Sequence, residues 1–491
     1  MNEYEDIDEE MLWGVVEETA PITTQERLPQ IIREFQKDAT QFSHGNEIPA
    51  AMAFYTILGQ ICKDFIVIPS GRNREDSRIH FCWIQTSGTG KSTLWNFVGP
   101  VSKRIFQRIN QTGNHPALVT PTHGNTMPRR FDIFGITDYT DSVLIGTFNE
   151  EIDEDGNKQY DRVQGLLEGS GLAHWDEFEY SGIFKQSNHK ENSIVYLNTL
   201  MNTLAGESWV ISKALTKFGG EVMHCYCERS VLAMTYPPNN LNEVIAEKGV
   251  LQRMVMYIKD VPDSAQHAMR QTQINNFGKI EEVNQPIDKY VNKLFEIYSS
   301  LKEHYDEIGG DPTRTIRFAE GFNDAMMLEY NSIRSEIRGK RAEVSKLVSN
   351  FTTRMMVNLV KLSVLTCVAH SLNIKNKDDR FIVRACHVRE ASLIMRNCYK
   401  SLAGWLEQSL KVRRMSLAEK SLEPQFMAIY DKMEKDEDGY CHKTKLMKEA
   451  MEKTGKSRSQ LFRHFKQFEH KFDIKHVGKY VWIKKIGEDI E

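Results

Sequence analysis

Apolar positions along the chain fall into distinct textures. From Glu47 to Lys63 they recur at helical spacing: Ala51, Phe54, Tyr55, Leu58 and Ile61 lie three and four apart, which predicts a helix. From there to about Val261, short apolar runs alternate with glycine-containing turns and helical stretches. The runs His80–Ile84, Gly171–Trp175 and Ser230–Thr235 each read as a buried strand. Buried strands separated by helices predict an α/β fold with a parallel sheet. From about 278 to 410 the pattern is helical throughout, with Met355, Leu359, Leu362, Leu365 and Val368 lining one helix. Further on, Pro424–Met433, Lys443–Lys453 and Ser457–Lys471 read as three helices, and Asp473–Ile486 as two strands around Val477-Gly478-Lys479. Residues 1–45 read as an acidic, poorly patterned, flexible arm. The expected organisation is an arm (1–45), an α/β core (46–265), a helical lid and connector (266–412) and a small C-terminal module (413–491).

The length of 491 residues agrees with about three domains. With 63 basic and 67 acidic residues the net charge is −4, so nucleic-acid binding does not follow from overall charge. The sum conceals a local excess: Gly439–Ile486 carries thirteen lysines and arginines against four acids. No apolar run approaches the ~18–20 residues of a membrane span. The acids Glu3, Glu5, Asp6, Asp8, Glu9 and Glu10 are wrong for a secretory or transit signal. Of the eight cysteines only Cys225 and Cys227 are close, with no second pair at zinc spacing. Free thiols in a cytoplasmic protein, with no membrane partner, are the expectation.

One loop carries specific chemistry. The strand ending at Ile84 runs into Gln85-Thr86-Ser87-Gly88-Thr89-Gly90-Lys91-Ser92-Thr93 and then a helical run. A strand, a tight glycine turn and a helix N-terminus together aim backbone N–H groups at phosphates. Here Gly88 and Gly90 permit the turn, Lys91 reaches the β and γ phosphates, and Ser92 ligates Mg²⁺. The usual pattern is G-x-x-x-x-G-K-[ST]; Gln85 stands in place of its first glycine. Thr454-Gly455-Lys456-Ser457 has the same tail but follows a helical run, and is read as a decoy.

Hydrolysis further needs a carboxylate for the metal and a group to orient water. About 85 residues on, an apolar strand ends in Asp176 and Glu177: Asp176 is expected to hold Mg²⁺ through water and Glu177 to polarise the attacking water. The strand Ser230–Thr235 fits a sensor position, with Thr235 the choice and Tyr236 the alternative. Arg253, set between apolar residues before the run Val255–Ile258, suits a finger reaching a neighbouring subunit's nucleotide, or else a structural ion pair. The cofactors implied are ATP and Mg²⁺.

In this order the segments resemble the minichromosome-maintenance (MCM) branch of AAA+ helicases and the MCM-like ATPase domains of phage and plasmid replication proteins. The resemblance runs from about Glu47 to Leu402. Gly165–Glu179, with Asp176-Glu177-Phe178, looks like the family's Walker B block. Glu207–Ala214 followed by Cys227–Ala233 is similar to its pre-sensor hairpin and sensor strand. Leu251–Val255 resembles its arginine-finger segment, and Thr352–Leu362 its second-sensor helix. The resemblance implies a P-loop AAA+ core, a second-sensor role for Arg354, and a channel contact with DNA by Lys213, with Lys217 nearby. It also implies a homo-oligomeric ring, hexameric in the family's manner, that moves single-stranded DNA through its pore and opens forked duplex in replication of a phage or mobile element. Replisome partners such as a primase or polymerase go with it. The chain departs from the family in having Thr235-Tyr236 where the sensor strand usually has Asn, and no N-terminal oligonucleotide-binding or zinc segment is expected. The alternative is an AAA+ initiator or helicase loader that binds DNA and ATP without unwinding; a site-specific transcription regulator is a second competitor.

Three helices and a hairpin are the winged-helix plan. Ser457, Ser459 and Gln460 open its third helix, and Arg458, Arg463 and Lys466 lie along it, as a helix entering a major groove requires. Lys475, Lys479, Lys484 and Lys485 are placed to meet phosphates. A protein-binding module is the other reading. Glu151–Gly156 looks like half a calcium loop, but Arg162 stands where a bidentate Glu is needed, so a hairpin turn at Asp155-Gly156 is expected instead. His464 and His470 lack further ligands.

Overall fold

The computed structural model describes residues 28–70, 73–86, 88–119, 130–136, 139–152, 158–178, 192–201, 210–215, 221–237, 249–259, 263–275, 277–278, 280–338, 344, 348–349, 351–420, 423–454, 458–478 and 480–486. They divide into two compact units, Met1–Trp405 and Leu406–Glu491. The α/β core and the helices after it thus belong to one unit. The division falls at 405/406 rather than 412/413, within one long helix, Ala385–Lys420.

The first unit opens with α1 (Gln30–Ala39) and α2 (Glu47–Cys62), then a small antiparallel pair, β1 (Ile68–Ser70) and β2 (Asn73–Glu75). Its centre is a five-stranded parallel sheet. In chain order the strands are β3 (Phe81–Ile84), which leads into α3 (Lys91–Thr112), and β4 (Phe131–Ile136). An antiparallel hairpin, β5 (Gly146–Ile152) with β6 (Lys158–Gln164), precedes β7 (Gly169–Trp175). Then β8 (Val210–Leu215) pairs antiparallel with the first half of β9 (Glu221–Thr235), and β10 (Val255–Ile258) closes the set. The spatial order is β10-β3-β9-β7-β4. The strand that carries the glycine loop therefore lies beside β9, with β7 next beyond it.

Burial on both faces explains the continuous apolar runs: every residue of β3 and of β10 is buried. Helix α2 is buried from Pro49 to Cys62. Its one amide there is fully used: Gln60 accepts from the Ser230 N–H (2.8 Å) and hydroxyl (2.9 Å) and donates to the Glu228 carbonyl (3.0 Å). A buried polar side chain is tolerated because each polar atom finds a partner. Gly171 is required by close packing. Its φ is +120°, and a Cβ there would come within 1.9 Å of the Asp132 carbonyl on β4.

Two expectations are corrected. The arm at 1–45 is not unstructured from Leu28 onward. Helix α1 buries Ile31, Ile32, Phe35 and Ala39, and the Phe35 ring meets Phe54, Phe97 and Tyr290 at 5.1, 5.4 and 5.0 Å. The helical spacing of those residues was masked by the charged positions between them; residues 1–27 lie outside the described residues. The stretch 278–410 is not helical throughout either. Two short strands, β11 (Arg317–Phe318) and β12 (Ile382–Val383), pair in parallel between its helices.

The second unit has helices Glu423–Tyr430, Lys443–Thr454 and Arg458–Phe468 and a three-stranded antiparallel sheet. The sheet order is β13 (Cys441–His442), β15 (Tyr480–Lys485), β14 (Phe472–Val477). Phe426, Tyr430, Leu446, Leu461, Phe465, Phe472 and Ile483 form its core. The sequence pattern anticipated the hairpin but not β13. One described stretch, Arg354–Asn373, is long and apolar enough to cross a membrane, and 72% of its most apolar window is buried inside the protein.

Candidate functional site

The C-terminal edge of the sheet gathers the loop at 85–90, the end of β9 and the end of β7. Gly88 and Gly90 take φ of +72° and +86°, and Gly90 is the residue from which α3 starts. The first-turn N–H groups of α3 therefore open onto the loop. Lys91 folds back over it, its ammonium donating to the Gln85 carbonyl (2.5 Å) and the Thr86 carbonyl (2.9 Å). Ser92 is exposed in the first turn of α3; Ser87 lies outside the described residues.

Gln85 has a structural role that its place as a departure from the motif did not disclose. Its side-chain oxygen accepts from the Trp83 indole (2.7 Å), and its amide donates to Asn46 Oδ1 (3.0 Å) and the Thr89 carbonyl (3.1 Å). Asn46 in turn donates to the Thr89 carbonyl (2.9 Å) and to Ser43 Oγ (2.6 Å), and Ser43 donates to the Gly90 carbonyl (2.9 Å). The turn between α1 and α2 thus clamps the loop through a buried network. Gly90 is part of the fit: a Cβ would meet Ser43 Oγ at 2.7 Å and Met269 Sδ at 3.0 Å. Nothing in the sequence pairs Ser43 and Asn46 with the loop, since some forty residues separate them.

Strand register places the carboxylates. Trp175 lies opposite Ala233, and Ile84 opposite Thr235. Asp176 and Glu177 therefore emerge level with Trp83 and Ile84, just below the loop and two strand spacings or ~10 Å to its side. Asp176 is half-buried and Glu177 exposed. Glu177 holds φ +52°, the one positive φ at a non-glycine among the described residues, and its N–H donates to Asp176 Oδ1 (3.1 Å). Strain of this kind persists where surrounding structure over-determines it, and it collects at functional positions. Buried Trp175 and Phe178 anchor the turn on either side. Among the described residues no cation pairs with Asp176, which suits a metal-facing carboxylate. Thr235 is buried at the end of β9; its carbonyl accepts the Gln85 N–H (3.0 Å), and Tyr236 beside it is exposed.

A second contact joins the loop helix to the carboxylate strand. Trp95 of α3 stacks on His174 of β7, ring centroids 3.5 Å apart and planes within 2°. Burial pushes the His174 pKa down to about 3, so the ring is neutral in the ordinary range.

Arg253 stands at the other edge of the sheet. It precedes β10, whose Val255 lies opposite Phe81. It is thus level with residue 79, about 20 Å of strand below the loop. Its guanidinium donates to Asn198 Oδ1 (2.8 Å) and to the Gly249 carbonyl (2.9 Å), both uncharged. Burial, and then the nearby charge of Arg354, push its pKa below the ordinary guanidinium value. Arg354, on the helix Thr352–His370, is also half-buried. Among the described residues neither arginine has a carboxylate partner. The structural ion pair weighed for Arg253 is thus not seen among the described residues.

Lys213 lies within β8, opposite Met223 and two positions before the strand's last residue, Leu215. Lys217 falls outside the described residues, as do Lys456, Lys479, the turn at 153–157 and the side chain of Arg463. The pairing of β5 with β6 brackets that turn. Arg458 and Lys466 are exposed on the helix Arg458–Phe468, and the Arg458 guanidinium sits over the Phe462 ring at 5.6 Å. A buried charge network at the N-terminal edge was not foreseen. Lys63 pairs with Glu228 (3.0 Å), Arg78 with Asp76 (2.8 Å) and Lys361 with Glu75 (3.4 Å). Among the described residues no group of three or more His, Cys, Asp or Glu is placed to hold a metal. No protein-family model matches the chain, and no curated protein matches it.

Proposed function

We propose that this chain is an ATP-driven, ring-forming DNA translocase or helicase of the MCM-like AAA+ class, with a P-loop core, a helical lid and a C-terminal winged helix. The observation that carries the reading is the division of one catalytic set between two edges of the sheet. The loop, Lys91, Ser92, Thr235, Asp176 and Glu177 collect at one edge. The arginines Arg253 and Arg354, partnered by no acid among the described residues, stand near each other at a remove no side chain spans. A nucleotide at the first edge receives those guanidiniums only from another copy.

In this reading the loop N–H groups, Lys91 and Thr89–Thr93 hold the phosphates, and Glu177 orients water. Ser92 and Asp176 would hold Mg²⁺, which neutralises phosphate charge. Arg253 and Arg354 of the neighbour stabilise charge on the transferring phosphoryl group, which makes hydrolysis depend on assembly. The β8–β9 hairpin bearing Lys213 and Lys217 contacts single-stranded DNA, and Arg458, Arg463 and Lys466 meet duplex. Work at a replication fork of a phage or mobile element, with replisome partners, follows from the family resemblance.

The test is unwinding of a forked duplex in the presence of ATP and Mg²⁺. The wild type is expected to separate the strands, and Lys91→Ala and Glu177→Gln are expected not to. DNA-stimulated ATP hydrolysis without strand separation would overturn the helicase in favour of an initiator or loader. Absence of ATP binding by the wild type would overturn both.

A further inference from the structure

The small sheet of the second unit has two unlike faces. Strand β15 is central. Its Ile483 is fully buried against the helices, and its register partners Cys441 and Ile474 lie on that same inner face. Alternation then puts a different row on the outer face. His442, Trp482 and Lys475 lie side by side across three strands, with Tyr480 and Val477 as the next row toward the turn and Lys484 and Asp473 as the row behind. Tyr480 is 49% exposed and Val477 50%. His442 meets the Tyr480 ring at 5.1 Å and the Trp482 ring at 5.3 Å, edge to face, which fixes the three rings as one group. Lys475 and Lys484 flank it, each with its ammonium 5.4 or 5.9 Å from the Tyr440 ring. The acids on this face are engaged: Tyr440 donates to Asp473, and Asp438 lies 3.6 Å from Lys475.

Large rings on an outward sheet face, spaced about 6.7 Å along one strand and bordered by lysines, suit neither a core nor a duplex groove. Bases inside a duplex are stacked on each other and offer no free face. Unpaired bases do, and aromatic side chains on a sheet bind them by stacking while cations track the backbone. We propose that the outer face of β13-β15-β14 is a binding platform for single-stranded nucleic acid, with Trp482 as the central stacking residue, Tyr480 and His442 beside it, and Lys475 and Lys484 meeting phosphates. The site is separate from the helix Arg458–Phe468 and does not rest on the nucleotide reading.

The test uses the full-length chain without nucleotide and a short thymidine oligonucleotide carrying 5-iodouracil. Ultraviolet cross-linking followed by mass spectrometry is expected to place adducts on the peptide containing Tyr480 and Trp482. Trp482→Leu keeps an apolar strand residue but removes the π face, and is expected to weaken single-strand binding about tenfold or more. Trp482→Phe is expected to retain most of it, and binding of the paired duplex is expected to be unchanged by either. Adducts confined to other segments would overturn the proposal, as would wild-type affinity in Trp482→Leu or an equal loss on duplex. Should Trp482→Leu disturb the module, the cross-link map of the wild type and the Trp482→Phe affinity decide alone.

Discussion

At residue scale, Gln85 has the most to explain, because a glycine is the ordinary occupant of its position. Its amide is buried, and each of its polar atoms is used between Trp83, Asn46 and Thr89. Gln85→Gly restores the usual motif yet strips a buried indole N–H and an amide oxygen of their partners, at about 1–3 kcal/mol for each group left unsatisfied. The clamp predicts that the change weakens ATP affinity about tenfold, measured by titration calorimetry, with Lys91→Ala as the non-binding reference. Unchanged or tighter binding would mean that the loop holds itself. The histidines set a second expectation. Burial pushes His115 and His387 down to about 4 and His174 to about 3. The unfolded chain takes up these protons near pH 6.5, whereas the folded chain refuses them until the pH is much lower. Their contribution is therefore complete above pH 6.5 and is lost as pH falls toward 4, at about 1.4 kcal/mol per pH unit for each ring. The melting temperature is expected to drop steeply between pH 6.5 and 5. His174→Phe, which keeps a ring on Trp95, is expected to reduce the slope, with the remainder left to His115, His387 and the buried His80, whose pKa burial also holds well below the ordinary value.

At the scale of elements, legibility followed the range of the physics. The strands β3, β7 and the end of β9 announced themselves through two-sided burial, which leaves continuous apolar runs. The glycine loop and the Asp176-Glu177 pair were legible because their chemistry is local. What was not legible depends on partners distant in sequence. Helix α1 exists because Phe35 finds Phe54, Phe97 and Tyr290; its ten residues, alternating with charges, are too short to be stable alone. The clamp from Ser43 and Asn46, the approach of Arg354 to Arg253 across a hundred positions, and the buried pairs Lys63–Glu228 and Lys361–Glu75 were hidden for the same reason. Phe35→Ala empties a fully buried ring site and is expected to cost about 3–5 kcal/mol, read from chemical denaturation. Since α1 leads into the turn that holds Gly90, the same variant is expected to lose ATP affinity under conditions where it remains folded. Lost stability with unaltered affinity would separate the helix from the site.

At the scale of the whole molecule, the separation of Lys91 from Arg253 makes a prediction no single-chain scheme shares. If the guanidinium serves a neighbour's nucleotide, Lys91→Ala and Arg253→Ala are each inactive alone, for different reasons. Lys91→Ala still presents its arginine, and Arg253→Ala still binds ATP. Mixed in equal amounts and allowed to exchange, they form some interfaces that join the intact loop of one to the intact arginine of the other, about one in four by random assortment in a ring of head-to-tail contacts. ATP hydrolysis is then expected to reappear in the mixture. The rise should be large against the singles, because an arginine supplied in trans is worth about 10³–10⁵ in rate. Arg354→Ala is expected to complement Lys91→Ala in the same way, and not to complement Arg253→Ala, since those two variants damage the same side of the interface. A mixture as inactive as its parts would place Arg253 in the scaffold, where its bonds to Asn198 and Gly249 would be its whole role. Recovery by Arg253→Ala but not by Arg354→Ala would leave a single trans residue and make Arg354 a tuning charge beside it.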